Sequence, residues 1–233
     1  SRRMRTIGLI GGMSWESTVP YYREINEQVR RRLGGLHSAR AVLYSVDFHD
    51  VELLQREERW DEAGALLAGA ARAVVAAGAE LIVLCTNTMH LVAPAIEAAV
   101  AAPLLHIADA TAAAVKGAGV RKVGLLGTRF TMERDFYRGR LAERHGLEVL
   151  VPPEEDRETV HRVIYEELCL GVVSESSRAR YREVIGRLVA RGAGGVVLGC
   201  TEVAMLVSPA DSPAPVFDTT RLHAAAAVDA ALA

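Results

Sequence analysis

Residues 81–90 read LIVLCTNTMH and residues 196–202 read VVLGCTE. In both, an apolar run gives way to a cysteine and then to polar residues. A short apolar run bounded by turn-forming residues is the pattern of a buried strand. Each cysteine is therefore expected at the carboxyl end of a strand. Similar runs occur at TIGLIGG (6–12), RAVLYSVDF (40–48), PLLHIAD (103–109), KVGLLGT (122–128), LEVLVP (147–152) and APVFD (214–218). Stretches with helical spacing lie between them, including residues 19–33 and 60–77. Strands alternating with helices predict parallel sheets covered on both faces. Ligands of such sheets bind beyond the carboxyl ends of the strands.

The two cysteine stretches belong to a longer repeat. Gly8-Leu9-Ile10-Gly11 matches Gly124-Leu125-Leu126-Gly127 at an offset of 116, and Cys85-Thr86 matches Cys200-Thr201 at 115. Asp109 and Thr111 match Asp218 and Thr220 at 109. Three matches in one order predict a duplicated α/β unit. The expected architecture is α/β with two pseudo-symmetric lobes. Each is a short, mostly parallel sheet flanked by helices, and the active site is expected in the cleft between them. The expected boundaries are an N-terminal lobe of residues 1–108, with a C-terminal helix at 219–233 packing on it, and a second lobe of residues 109–218.

Composition narrows the function. A chain of 233 residues with a formal net charge of -2 carries no nucleic-acid footprint. Arg30, Arg31 and Arg32 precede Gly34-Gly35 and read as the solvated end of a helix, where positive charge suits the dipole. Three widely spaced cysteines argue against a disulfide framework and for a reducing, cytoplasmic compartment. Neither Cys-x-x-Cys nor His-x-x-x-His occurs, so no metal is expected. GLIGG is not the G-x-G-x-x-G of a dinucleotide site, and no cofactor is expected. No long apolar segment follows the N-terminal charges, so neither a signal peptide nor a membrane span is expected. Ser1 is not a start residue, and natural sequence is expected to begin near Met4.

Thr86 and Asn87 are helix N-cap types. A thiol beside the positive end of a helix is expected to have a pKa lowered from about 8.5. Cys200, followed by Thr201 and Glu202, has the same expected placement. The plain alternative is that both cysteines are small buried hydrophobes. Two thiols at equivalent strand ends suit a racemase, in which one thiolate removes a proton from one face of a carbon and the opposite thiol returns one. A single cysteine with a histidine partner would instead suggest acyl transfer; His90 and His106 read as ordinary structural histidines. Free backbone N–H groups at Gly11-Gly12-Met13-Ser14 and at Thr128 could hold a carboxylate, or the glycines could serve a tight turn alone.

GLIGGMSWEST, YYREIN, CTNTMH and LGCTE resemble the aspartate/glutamate racemase family, which works without pyridoxal phosphate, and the resemblance covers essentially the whole chain. The strings RRLGGLHSARAVLYSVDFHDVE, HIADAT, LLGTRFTMERDFYRGRL and EELCLG are closer to its broad-specificity members. The resemblance implies Cys85 and Cys200 as catalytic bases, a free amino acid as the small-molecule substrate, and usually a homodimer. It implies Met13, Gln55, Thr86, Asn87, Thr88, Thr201 and Glu202 at the substrate and Thr128 nearby; Ser14, in the glycine turn, is a further substrate-binding candidate, as is Cys169. Some relatives specific for one enantiomer carry a threonine in place of one cysteine; both cysteines are present here. Aspartate-specific relatives carry a lysine where this chain has Cys169, and an arginine where SVDFHD offers Asp47 and Asp50. A neutral or mixed substrate is therefore expected over aspartate. The alternatives are an aspartate/glutamate-specific racemase, a hydantoin racemase or maleate isomerase-like enzyme, and a non-catalytic small-molecule binder.

Overall fold

A computed structural model describes residues 3–233. The strands are β1 (Ile7–Gly11), β2 (Ala41–Ser45), β3 (Leu81–Leu84), β4 (Lys122–Leu126), β5 (Glu148–Leu150), β6 (Gly195–Leu198) and β7 (Val216–Asp218). The helices are α1 (Trp15–Leu33), α2 (Phe48–Arg56), α3 (Trp60–Ala76), α4 (Ala93–Ala99), α5 (Ile107–Gly117), α6 (Arg129–Glu133), α7 (Asp135–His145), α8 (Glu154–Glu166), α9 (Glu175–Ala190), α10 (Val203–Leu206) and α11 (Thr219–Leu232). The chain divides into two compact units: the residues up to His106 together with His223–Ala233, and Ile107–Leu222.

Each unit is a parallel sheet with helices on both faces. Unit 1 has strand order β2-β1-β3 and unit 2 has β5-β4-β6-β7. The apolar runs predicted at 6–12, 80–85, 122–128, 147–152, 194–200 and 214–218 all contain strands. PLLHIAD does not. It contributes only an isolated parallel bridge, Leu104 to Ile82, before α5 begins at Ile107. That bridge lies beside β3 as β7 lies beside β6, so the duplicated order survives with one strand reduced to a single rung. RAVLYSVDF also runs short, because Asp47 accepts a hydrogen bond from the His49 amide and caps α2.

Alternation along the strands sorts side chains between two layers in unit 1. Ile7, Leu9, Leu81, Val83 and Cys85 pack with Tyr21, Ile25 and Val29 of α1 and with Ala224, Ala227, Val228 and Ala231 of α11. Ile10, Ile82 and Leu84 turn the other way, onto Leu67, Ala71 and Val74 of α3. In α1, Ser17, Tyr21, Ile25 and Val29 form one buried stripe at a spacing of four, and Arg30, Arg31 and Arg32 close its last turn. In unit 2, Leu126, Val196, Leu198 and Cys200 pack on α8 and α9, whereas Val123, Leu125 and Val197 pack on α5 and α7.

Two glycines answer to close approach. Gly12 has φ of +92°, and a Cβ there would lie 2.5 Å from the Val46 carbonyl oxygen. A Cβ on Gly127 would lie 2.8 Å from the Gly199 carbonyl oxygen, so the ends of β4 and β6 can meet only if that residue has no side chain.

Val228 is fully buried among unit 1 residues. Val228→Asp is expected to lower unfolding stability by at least about 3 kcal/mol, because it removes apolar burial and inserts an unpaired charge. Urea denaturation read with limited proteolysis of residues 3–106 checks this; unchanged protection there would show that α11 is dispensable to unit 1.

Candidate active site

The last rung of each parallel ladder positions the cysteine of its own unit. In unit 1 the Cys85 amide donates to the Ile10 carbonyl at 2.8 Å. In unit 2 the corresponding bond, to Leu126 at 2.6 Å, comes from Gly199 and not from Cys200. The registers agree: Ile10 pairs with Leu84, and Leu126 with Leu198. Cys200 therefore stands one residue beyond the place equivalent to Cys85. A shift of one residue exchanges faces, which is why Cys85 joins the α1 and α11 layer and Cys200 the α8 and α9 layer.

Unit 1 buries Met13 and five polar residues on three segments near the ends of its strands. Met13 and Ser14 follow β1, Gln55 comes from α2, and Thr86, Asn87 and Thr88 follow β3; all six are buried. Gln55 Nε2 lies 3.1 Å from Met89 Sδ, and Met13 shares the cluster containing Met89 and Leu54. These contacts tie the β1 turn and α2 to the turn after β3. The Cys85 thiol points back to the Val83 carbonyl at 3.7 Å.

In unit 2, Cys200 Sγ donates to Glu202 Oε2 at 2.9 Å, and Thr201 Oγ1 donates to the same oxygen at 3.0 Å. Cys169 lies in a 3-10 turn, Leu168–Leu170, and packs on the cluster that contains Cys200. Thr128 caps α6 by accepting from the Thr131 amide. The next amide, Arg129 N–H, donates to His161 Nδ1 at 2.8 Å. His161 was not foreseen; a histidine inside an ordinary helical stretch carries no pattern that marks it.

One expectation is corrected here. The thiols are not acidified. Burial pushes Cys85 far above the usual thiol range, and burial followed by the Glu202 charge does the same for Cys200. The cause is local. The Cys85 and Thr86 amides are spent on the Ile10 and Leu84 carbonyls, the 3-10 turn starts only at Thr88, and α10 is a single turn. At Cys85 nothing is seen to oppose desolvation, and at Cys200 the Glu202 backbone hydrogen bond favours the thiolate but is outweighed by burial and the Glu202 charge. In the turn after β1 the Gly12 amide is likewise spent, donating to Thr18 Oγ1 at 2.8 Å.

His90 and His106 are both buried, with ring centroids 4.5 Å apart. His223, also buried, links Leu105 and α1: its Nε2 is 2.7 Å from the Leu105 carbonyl and its Nδ1 is 2.6 Å from Tyr21 Oη. Among the described residues no group of three or more His, Cys, Asp or Glu could hold a metal ion. Asp109 is committed to Arg140 and His145, and the Asp218 carboxylate accepts the Thr220 amide.

A model of the Asp/Glu/Hydantoin racemase family matches residues 10–227. The chain belongs to that family. It is similar to a Yersinia pestis protein proposed to be an Asp/Glu racemase, with 60% identity and a TM-score of 0.91 over 99% of this chain and 100% of that one. An aspartate racemase homologue from Pyrococcus horikoshii is 37% identical, with a TM-score of 0.84 over 99% and 100% of the two chains. The Picrophilus torridus aspartate racemase, 22% identical, shares the fold with a TM-score of 0.75 over 97% of this chain and 94% of that one. The racemases are isomerases, and two parallel α/β units are the architecture they share with this chain. Among the described residues no helix of this racemase is long and apolar enough to cross a membrane.

Burial pushes the His223 pKa down to about 4 from 6.5, so the imidazole is neutral in the fold. The unfolded chain takes up a proton below pH 6.5, while the fold resists until about pH 4. The neutral imidazole's contribution is complete above pH 6.5 and is lost as the pH falls toward 4. His223→Gln keeps a donor and an acceptor but cannot titrate. Between pH 7 and 4.5 the parent is expected to lose about 2–3 kcal/mol more stability than the variant; parallel urea curves would contradict the assignment.

Proposed function

We propose that this racemase inverts free α-amino acids with broad specificity and without a cofactor, using Cys85 and Cys200 on opposite faces of the α carbon. The observation that carries the reading is the duplication: each unit follows its β3 or β6 strand with a buried thiol among buried threonines. One cysteine, as thiolate, takes the Cα proton. The electron pair left on Cα then takes the proton of the other thiol, so one sulfur gains a proton as the other loses one. The roles exchange for the opposite enantiomer.

The raised thiol pKa values fit this chemistry. Burial makes a thiolate scarce in the free protein and more basic once formed, which suits a weakly acidic Cα–H. The substrate's ammonium group supplies the positive charge that the protein withholds. For Cys200, Glu202 at 2.9 Å can accept the thiol proton and leave the thiolate. Met13, Ser14, Gln55, Thr86, Asn87, Thr88, Thr128 and Thr201 supply the buried polar and apolar contacts that orient the amino acid.

Cys85→Ser and Cys200→Ser are each expected to lower racemization by more than about a thousandfold, since serine is a far weaker acid than a thiol. Each should still exchange the α proton of one enantiomer with deuterated solvent through the remaining cysteine. Parental racemization in either variant would refute the scheme.

The names of the relatives favour a second reading, an acidic substrate. Cys169 opposes it. A side-chain carboxylate carried into a desolvated site needs a cation, and Cys169 offers none beside the cluster holding Cys200. Arg129 is exposed and lies with its guanidinium carbon 5.2 Å from the Phe130 ring centroid. We infer a preference for neutral side chains such as homoserine over aspartate. Cys169→Lys is expected to raise kcat/KM for aspartate relative to homoserine by about tenfold or more, as one charge pair gained. An unmoved ratio, or a parent that already prefers aspartate, would overturn the preference.

We further propose a cytoplasmic homodimer that serves D-amino acid metabolism. Three free cysteines support the reducing compartment. Trp15, Val19 and Tyr22 form an exposed apolar stripe on α1, close to Leu36, which is 101% exposed. Arg23 and Glu27 stand one turn apart beside that stripe, a charge pair that a two-fold contact can match with itself.

A further inference from the structure

We infer that His90 is a positioning residue for Cys85, its imidazole standing in for its own backbone amide to hold the turn after β3 open. The His90 amide donates to the Asn87 carbonyl at 3.1 Å, a 3-10 bond. An α-turn would send that amide to Thr86 instead. The Thr86 carbonyl is met by His90 Nδ1 at 2.6 Å. A carbonyl only accepts, so Nδ1 carries the proton. One residue thus satisfies two successive carbonyls, one with its backbone and one with its ring, and Thr86 is fixed without winding the segment into an α-helix.

Thr86 is bonded directly to Cys85, and the peptide is held on both sides. Upstream, the Cys85 amide is pinned to Ile10 and the Thr86 amide to Leu84, both at 2.8 Å. Downstream the hold is the His90 imidazole. The ring is itself set in place: His106 packs at 4.5 Å and His223 at 5.7 Å between centroids, and His223 is anchored by Leu105 and Tyr21. Three histidines and a tyrosine, all buried, form a scaffold whose end is the carbonyl beside the thiol. Without the imidazole, the Thr86 carbonyl can recapture the His90 amide, wind the turn, and swing Cys85 away from its working direction. Displacements of about 1 Å at a reacting group cost on the order of a hundredfold in rate.

The catalytic consequence rests on the two-thiol reading; the hydrogen bond does not. Three measurements separate them. Nitrogen-15 spectra of the parent should show His90 protonated at Nδ1; an unprotonated Nδ1 would end the proposal. In His90→Leu the Thr86 carbonyl and Cys85 Cβ carbon-13 shifts should move, and in His90→Gln, whose amide can donate to Thr86, they should stay near parental values. Unmoved shifts in His90→Leu also end it. Finally, α-proton exchange into deuterated solvent should fall about tenfold or more when His90→Leu is added to Cys200→Ser, and by a distinctly smaller factor when it is added to Cys85→Ser, where the variant disturbs the substrate contacts of Thr86, Asn87 and Thr88 but not the reacting sulfur. Equal losses in both backgrounds would make His90 a general structural residue. If the shifts behave as stated but neither single-cysteine background exchanges protons, the positioning stands and the racemization reading fails.

Discussion

The last hydrogen bond of each parallel ladder is the constraint on which the rest depends. A strand can place a side chain in the region beyond its carboxyl end only where pairing with its neighbour stops, and the final rung decides which residue that is. In unit 1 the rung is made by Cys85 itself; in unit 2 it is made by Gly199, and Cys200 comes after it. The glycines at 127 and 199 belong to the same constraint, because the Gly127 backbone meets the Gly199 carbonyl where a Cβ would not fit. The layers of apolar helices around each sheet keep those rungs dry and the thiols desolvated.

Desolvation then governs the chemistry. Both thiols are held as thiols in the free protein, one donating to a backbone carbonyl and one to the Glu202 carboxylate. A reactive cysteine is commonly a solvent-accessible thiolate beside positive charge; these two are neither accessible nor acidified. On the proposed reading, such thiols stay protonated until a ligand brings its own cation, which is what an amino acid zwitterion carries. The His90, His106, His223 and Tyr21 assembly extends the same logic, since buried rings packed on one another can fix backbone geometry, and His223 does so as a neutral imidazole.

Much of this was legible in the sequence, and the exceptions have physical causes. The apolar runs and the repeated Cys-Thr pairs mark buried parallel strands and the polar turns at their ends, because a strand covered on both faces needs side chains of one kind. PLLHIAD resembles such a run, yet a single bridge is all that forms beside Ile82. The start of α2 was hidden at the end of RAVLYSVDF, although Asp47 is an N-cap signal that could have revealed it. The one-residue difference between Cys85 and Cys200 could not be read from the repeat offsets; it shows only in the hydrogen-bond register, where Ile10 pairs with Leu84 and Leu126 with Leu198. The thiol pKa direction and the role of His90 depend on which amides are already spent, and sequence spacing does not record that.

The central claim is that two sulfurs serve one carbon, and the fate of the α proton tests it most directly. L-homoserine would be incubated with the parent protein in deuterium oxide and sampled early by chiral separation with mass detection. Two opposed thiols predict D-homoserine carrying deuterium at the α carbon while the remaining L-homoserine still carries hydrogen, because the acid that completes the inversion holds a solvent-derived proton. Early product that retains the original α hydrogen, or label appearing equally in both enantiomers, would show a single base at work and contradict the account.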